Sequence, residues 1–126
     1  MKAIIITDGT ESIQSIAKSI SDSLSGFNAA IIPCDKFMGN DLLPADVFFI
    51  GCENPNPDSF SYLEKLLLHI NLASRKCGIF STKEKTIKYL KSILNSCEAE
   101  VRDPLIINNE KINSKDINRW LKGLLK

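Results

Sequence analysis

Ala3-Ile4-Ile5-Ile6-Thr7-Asp8-Gly9-Thr10-Glu11-Ser12-Ile13, read on through Ile16, Ala17, Ile20 and Leu24, is the stretch that decides the fold. Its first four residues form an apolar run without polar alternation, as a parallel strand covered on both faces requires. Thr7 to Thr10 are turn formers. From Ile13 the apolar residues recur at offsets 0, 3, 4, 7 and 11, which is one face of a helix. Thr10 or Ser12 is the expected cap of that helix. A strand, a tight turn and an amphipathic helix make the first half of a βαβ unit.

The pattern repeats along the chain. Ala29-Ala30-Ile31-Ile32 is a second strand, stopped by Pro33, and Val47-Phe48-Phe49-Ile50 a third, ending at Gly51. Between them a polar connection with Gly39, Asn40, Asp41 and Pro44 reads as a loop with at most one helical turn. From Asp58, capped by itself or by Ser59, a helix carries Phe60, Leu63, Leu67 and Ile70 on one side. Cys77-Gly78-Ile79-Phe80 is the fourth strand. Ser81-Thr82-Lys83-Glu84 has the form of a capping box ahead of Ile87, Leu90 and Leu94. The fifth strand is split by Pro104 into Glu100-Val101 and Leu105-Ile106-Ile107. Ser114 is the expected cap of a last helix bearing Ile117, Trp120, Leu121 and Leu124. Strands alternating with helices imply right-handed crossovers and a doubly wound sheet, whose ligand rim lies at the carboxyl ends of the strands.

The composition sets bounds on function. A chain of 126 residues suits one domain, residues 1–126, and buries enough surface for a core without staples. A formal net charge of +1 gives no electrostatic case for nucleic acid or an anionic membrane. No apolar run reaches the ~20 residues that span a bilayer, and the start lacks a signal-peptide pattern, so the expected location is cytoplasmic. The cysteines Cys34, Cys52, Cys77 and Cys97 form no C-x-x-C pair, and His69 is the one histidine, which argues against a zinc site. Reduced thiols are expected. The strand ends that carry Cys34 and Cys52 lie two strand spacings apart, about 9.6 Å, too wide for a disulfide.

In order and spacing the chain resembles the short-chain flavodoxins nearly end to end. Lys2–Ile20 resembles their first strand, phosphate loop and first helix. Phe48-Phe49-Ile50-Gly51-Cys52 resembles the third strand and the loop after it, and Lys76–Phe80 the fourth strand. Asp103-Pro104-Leu105-Ile106-Ile107-Asn108-Asn109 resembles the last strand and its turn. The resemblance implies a flavodoxin-like three-layer α/β sandwich with a five-stranded parallel sheet in the order 2-1-3-4-5. It also implies one bound FMN, electron transfer, and a redox or regulatory protein partner. The cofactor positions it implies are Thr7, Asp8, Gly9, Thr10, Glu11 and Ser12 in the first loop, Cys52, Glu53 and Asn54 in the second, and Ser81 and Thr82 in the third.

Those loops depart from what the cofactor needs. Where the family has Ser/Thr-x-Thr-Gly-Asn-Thr, this chain has Asp8-Gly9-Thr10-Glu11-Ser12-Ile13. Glu11 places a carboxylate and a Cβ where a phosphate needs close backbone approach. Like charges ~4 Å apart repel by about 1 kcal/mol in water and several times that near a protein surface. Asp8 adds to this, and Ile13 removes a hydroxyl. Cys52-Glu53-Asn54-Pro55-Asn56-Pro57 carries no aromatic, and the third loop lacks the family's insertion with its ring-stacking Trp or Tyr. The chain also lacks the strong acidity of electron-carrier flavodoxins. Two functions follow: a degenerate member with weak or no FMN binding, serving as a binding or interaction module, or a working electron carrier with atypical loops.

The remaining features read blandly. Cys52 at the rim is more simply a buried structural cysteine than a reactive thiol. His69 reads as solvated or packed. Lys83, Lys85, Lys88 and Lys91 read as a solvated helical face. Trp120 belongs to the core, with its indole N–H at the margin. A receiver domain shares this topology but needs an acidic magnesium cluster that Asp8 alone does not supply.

Overall fold

The computed structural model describes residues 1–107 and 112–125. Strand β1 (Lys2–Thr7) and helix α1 (Glu11–Ser23) are followed by β2 (Asn28–Pro33) and β3 (Val47–Gly51). Then come α2 (Ser61–Leu67), β4 (Lys76–Ser81), α3 (Glu84–Leu94), β5 (Glu100–Val101), β6 (Leu105–Ile106) and α4 (Ser114–Leu125). All strand pairs are parallel, in the order β2-β1-β3-β4-β5, and β6 also pairs with β4. The order 2-1-3-4-5 is therefore observed, and β5 and β6 are two pieces of one edge strand. Pro104 accounts for the break. It has no N–H to give to the ladder, and an edge is where a sheet tolerates that loss. Pairing resumes where Ile107 N–H donates to Ser81 O at 3.0 Å.

Strand alternation divides the core into two layers. Ile4, Ile6, Phe48, Ile50, Cys77 and Ile79 face α2 and α3, while Ala3, Ile5, Val47, Phe49 and Phe80 face α1 and α4. Phe48, Phe49, Phe60 and Phe80 are fully buried. Each such side chain stabilises by about 1.5–3 kcal/mol relative to exposure. Gly78 is small because it must be: a Cβ there would lie 2.6 Å from Leu124 Cδ1 and 2.7 Å from Phe49 Cδ2.

Several local expectations are corrected. Thr10 sits at the N-cap of α1, but neither it nor Ser12 caps the helix with its side chain. Ser81 does not open a capping box. It ends β4, fully buried, and donates its hydroxyl to Cys52 O at 2.7 Å, while Lys83 occupies the N-cap of α3. Asp58–Phe60 is a 3-10 turn, so α2 starts at Ser61 without a cap from Asp58 or Ser59. This helix ends before Ile70. The connection after β2 holds two single 3-10 turns, Cys34–Lys36 and Gly39–Asp41, where one at most was expected. Asn113, not Ser114, caps α4: its Oδ1 accepts from Lys115 N–H at 2.9 Å. Asn108 and Asn109, the expected turn beyond the last strand, lie outside the described residues.

Candidate functional site

β1, β3 and β4 end side by side, with Thr7 in register with Gly51 and Gly51 with Phe80. The three loops that follow these strands therefore meet above the sheet. Thr7, itself buried, donates its hydroxyl to Gln14 Oε1 at 2.7 Å and accepts from Gly9 N–H at 3.3 Å. Gly9 turns the chain at φ +83°, a left-handed value that glycine adopts without steric cost.

Asp8 is the centre of the arrangement. Its Oδ1 accepts from Thr10 N–H at 3.0 Å and from the Thr10 hydroxyl at 2.6 Å. Its Oδ2 accepts from Glu53 N–H, 2.8 Å away in the second loop. One carboxylate thus ties the first loop to the second. Ser12 donates its hydroxyl to Glu53 Oε1 at 2.9 Å, a second tie between them. Glu53 O accepts from the Thr86 hydroxyl at 2.9 Å, and Asn54 Oδ1 accepts from Lys83 Nζ, so the second loop is also laced to the start of α3. Hydrogen bonds to a charged acceptor are the stronger kind, so Asp8 stiffens the rim more than a neutral side chain would.

Beside this network lies an open groove of about 580 Å³, lined by Thr10, Glu11, Ser12, Glu53, Thr82 and, on its apolar side, Ile16, Ile107 and Ile112. Of the implied cofactor positions, the structure thus gathers Thr10, Glu11, Ser12, Glu53 and Thr82 around one space. Thr7, Asp8, Gly9, Cys52, Asn54 and Ser81 do not line it. Asp8, Thr7 and Ser81 instead brace the loops from within. Ser15 also lines the groove, and with Ile16 it was missed in the sequence. The signal was present, because positions three and four after Ser12 share its helix face. Among the described lining residues two are carboxylates and none is a lysine or arginine. Thr82 Oγ1 is buried there without a hydrogen-bond partner.

The start of α1 already has carboxylates of its own beside it. A helix N-terminus attracts an anion, but here the chain supplies its own in Asp8 and Glu11. Thr10 N–H and Glu53 N–H, donors a phosphate would want, are already given to Asp8. The third loop is short, since β4 ends at Ser81 and α3 begins at Glu84, and its two residues, Thr82 and Lys83, are not aromatic.

Cys52 is fully buried. Burial first, then the Asp8 charge and the neighbouring Cys34 thiol, push its ionisation well above the usual thiol range. The Cys34 thiol is pushed up to about 12, again by burial first and then by Asp35. All four cysteines are free and buried.

No family model matches the chain, and no curated protein matches it by sequence. Its fold has many solved counterparts. A short-chain flavodoxin associated with a bacterial microcompartment superposes with a TM-score of 0.86 at 13% identity, over 99% of this chain and 97% of that one. The Streptococcus pneumonia TIGR4 flavodoxin gives 0.83 at 16% identity, over 98% and 97%. General stress protein 14 of Treponema denticola, solved in complex with FMN, gives 0.60 at 12% identity, over 98% and 95%. The fold is that of the flavodoxins. Both superpositions cover at least 97% of each chain.

Proposed function

We propose that this chain is a flavodoxin-family protein whose rim binds FMN weakly or not at all, and that it acts as a binding module for a redox or regulatory protein partner. The observation that carries this reading is the Asp8 carboxylate. It takes two backbone N–H donors and a hydroxyl from the loops that would otherwise face a phosphate. Glu11 and Glu53 add negative charge to the same groove. A dianion about 4 Å from one such carboxylate, at the effective dielectric of a protein surface, meets a repulsion of several kcal/mol. That is comparable to the binding free energy of a millimolar ligand, about 4 kcal/mol.

The alternative is a working FMN electron carrier. The likeness to a protein solved with FMN favours it, as does a groove still open beside the start of α1. In that reading Thr10 and Ser12 hold the phosphate, and Cys52–Asn56 and Ser81–Lys83 flank the ring. Colour separates the two. A freshly purified protein without flavin absorbance, and without heat on titration with FMN, is the outcome expected here. A yellow preparation holding one FMN per chain overturns the module reading and establishes the carrier.

A further inference from the structure

We infer that this chain pairs weakly with a second copy of itself, as a two-fold dimer, through an apolar groove beside α2. The pairing does not depend on what the rim holds. The groove, of about 370 Å³, lies between α2 and the Gly39–Asp41 turn, and its apolar lining is Met38, Leu43, Tyr62, Leu66 and Ile70. Three of the large apolar side chains left exposed among the described residues stand on it together: Met38 at 62%, Leu43 at 61% and Tyr62 at 45%. Scattered exposed apolar residues need no explanation, but a contiguous patch of them marks an interaction surface.

The backbone beneath the patch is fixed. Gly39 N–H donates to Tyr62 Oη at 3.0 Å. A Cβ on Gly39 would lie 3.2 Å from that oxygen and 3.4 Å from Leu66 Cδ1, so the glycine lets the turn rest directly on α2. Met38 N–H donates to Asp41 Oδ2 at 2.9 Å. The Arg75 guanidinium donates to Leu42 O at 3.0 Å, Leu43 O at 3.2 Å and Ala45 O at 2.7 Å. Met38 and Leu43 therefore stand uncovered on a braced turn. Because the turn is already ordered in the free chain, association loses little further backbone entropy.

Shape and charge both favour a second copy as the occupant. Hole and knobs share one surface: Met38 and Leu43, the most exposed side chains of the lining, belong to the same patch as the groove that they would fill in a copy turned by 180°. An isologous contact requires that self-complementarity. On the turn side, Asp35, Lys36 and Asp41 leave one acid in excess. On the α2 side, Glu64 is engaged by the Tyr89 hydroxyl, while Lys65 is exposed three residues on from Tyr62. A two-fold rotation sets the acidic turn of each copy against the basic helix of the other. Such charges fix register more than affinity. A pairing of this extent buries on the order of 1,000 Å² in total, the lower limit for a specific interface, so the dimer is a weak one.

Sedimentation equilibrium of the full chain from micromolar to millimolar concentration reads the pairing. The expected mass climbs from that of one chain towards that of two. Leu43→Asp holds it at one chain with the circular dichroism spectrum unchanged, since the side chain is exposed. Lys65→Glu turns each α2 acidic against its partner's turn and weakens the dimer by about tenfold. Lys122→Glu makes the same charge change at an exposed position of α4, on the opposite layer, and leaves the dimer unaltered. Amide resonances that shift with concentration fall within residues 38–43 and 62–70. A chain still monomeric at millimolar concentration overturns the proposal and leaves the groove to a different partner. A dimer that survives Leu43→Asp, equal weakening by the two lysine variants, or shifts confined to another face overturns it as well.

Discussion

Replacing Asp8 by alanine probes the rim most directly. The substitution removes three hydrogen bonds to one carboxylate, from Thr10 N–H, the Thr10 hydroxyl and Glu53 N–H. In isolation each charged bond is worth about 1.5–3 kcal/mol net. The site is only part-buried, and water can replace much of what the Thr10 hydroxyl loses. The bond to Glu53 N–H joins residues 45 apart and is the one that holds two loops together. A net loss of about 2–4 kcal/mol follows, a fall in Tm of roughly 10 °C for a domain of this size. The same change frees two backbone donors and removes a negative charge, so affinity for inorganic phosphate or FMN should rise, by about tenfold or more in Asp8→Ala combined with Glu11→Gly. Thermal melts followed by circular dichroism read the first effect and calorimetric titration the second. An Asp8→Ala variant that melts with the native protein refutes the bracing role. A double variant that binds FMN no better than the native chain refutes the account of the rim.

Other consequences are equally open to measurement. The four buried thiols should resist a disulfide-exchange reagent in the native state near neutral pH and all react on unfolding. Because burial raises the Cys34 pKa from 9.0 to about 12, the unfolded chain loses that proton first as pH rises. The thiol's contribution to stability is therefore intact below pH 9 and is lost between there and pH 12, at up to about 1.4 kcal/mol per pH unit, which denaturant melts across that range will show. Gly78→Ala should cost about 1–3 kcal/mol by driving a Cβ against Leu124 and Phe49, and an unchanged denaturation midpoint would contradict that packing. Trp120→Phe should lower stability by about 1 kcal/mol through the lost bond to Asp103 O and the smaller ring against Phe49, measured by the same melts.

The local reading of the chain went furthest where one interaction dominates. Ala3–Ile6, Val47–Ile50 and Cys77–Phe80 are apolar without interruption, and burial on two faces is the outcome such runs permit. Pro104 broke the edge strand where its missing N–H predicts. Such reading failed where a polar side chain had a choice of partner. Ser81 lies ahead of a helix start, where its hydroxyl accepts from Lys83 N–H at 3.3 Å, but it donates the hydroxyl across to Cys52 O at 2.7 Å. Thr10 had the start of α1 and turned to Asp8.

The sequence by itself determined the alternation of buried strands and one-faced helices, because hydrophobic periodicity is a local property that burial reads directly. It also determined that the rim would be acidic, since Asp8, Glu11 and Glu53 are fixed by identity alone. Only the tertiary structure decided what those carboxylates do. Asp8 reaches Glu53 N–H, and Ser12 reaches the Glu53 carboxylate, across more than forty residues of chain. The choice is made by which donors the parallel register of β1 and β3 sets side by side, and no run of neighbouring residues encodes that adjacency.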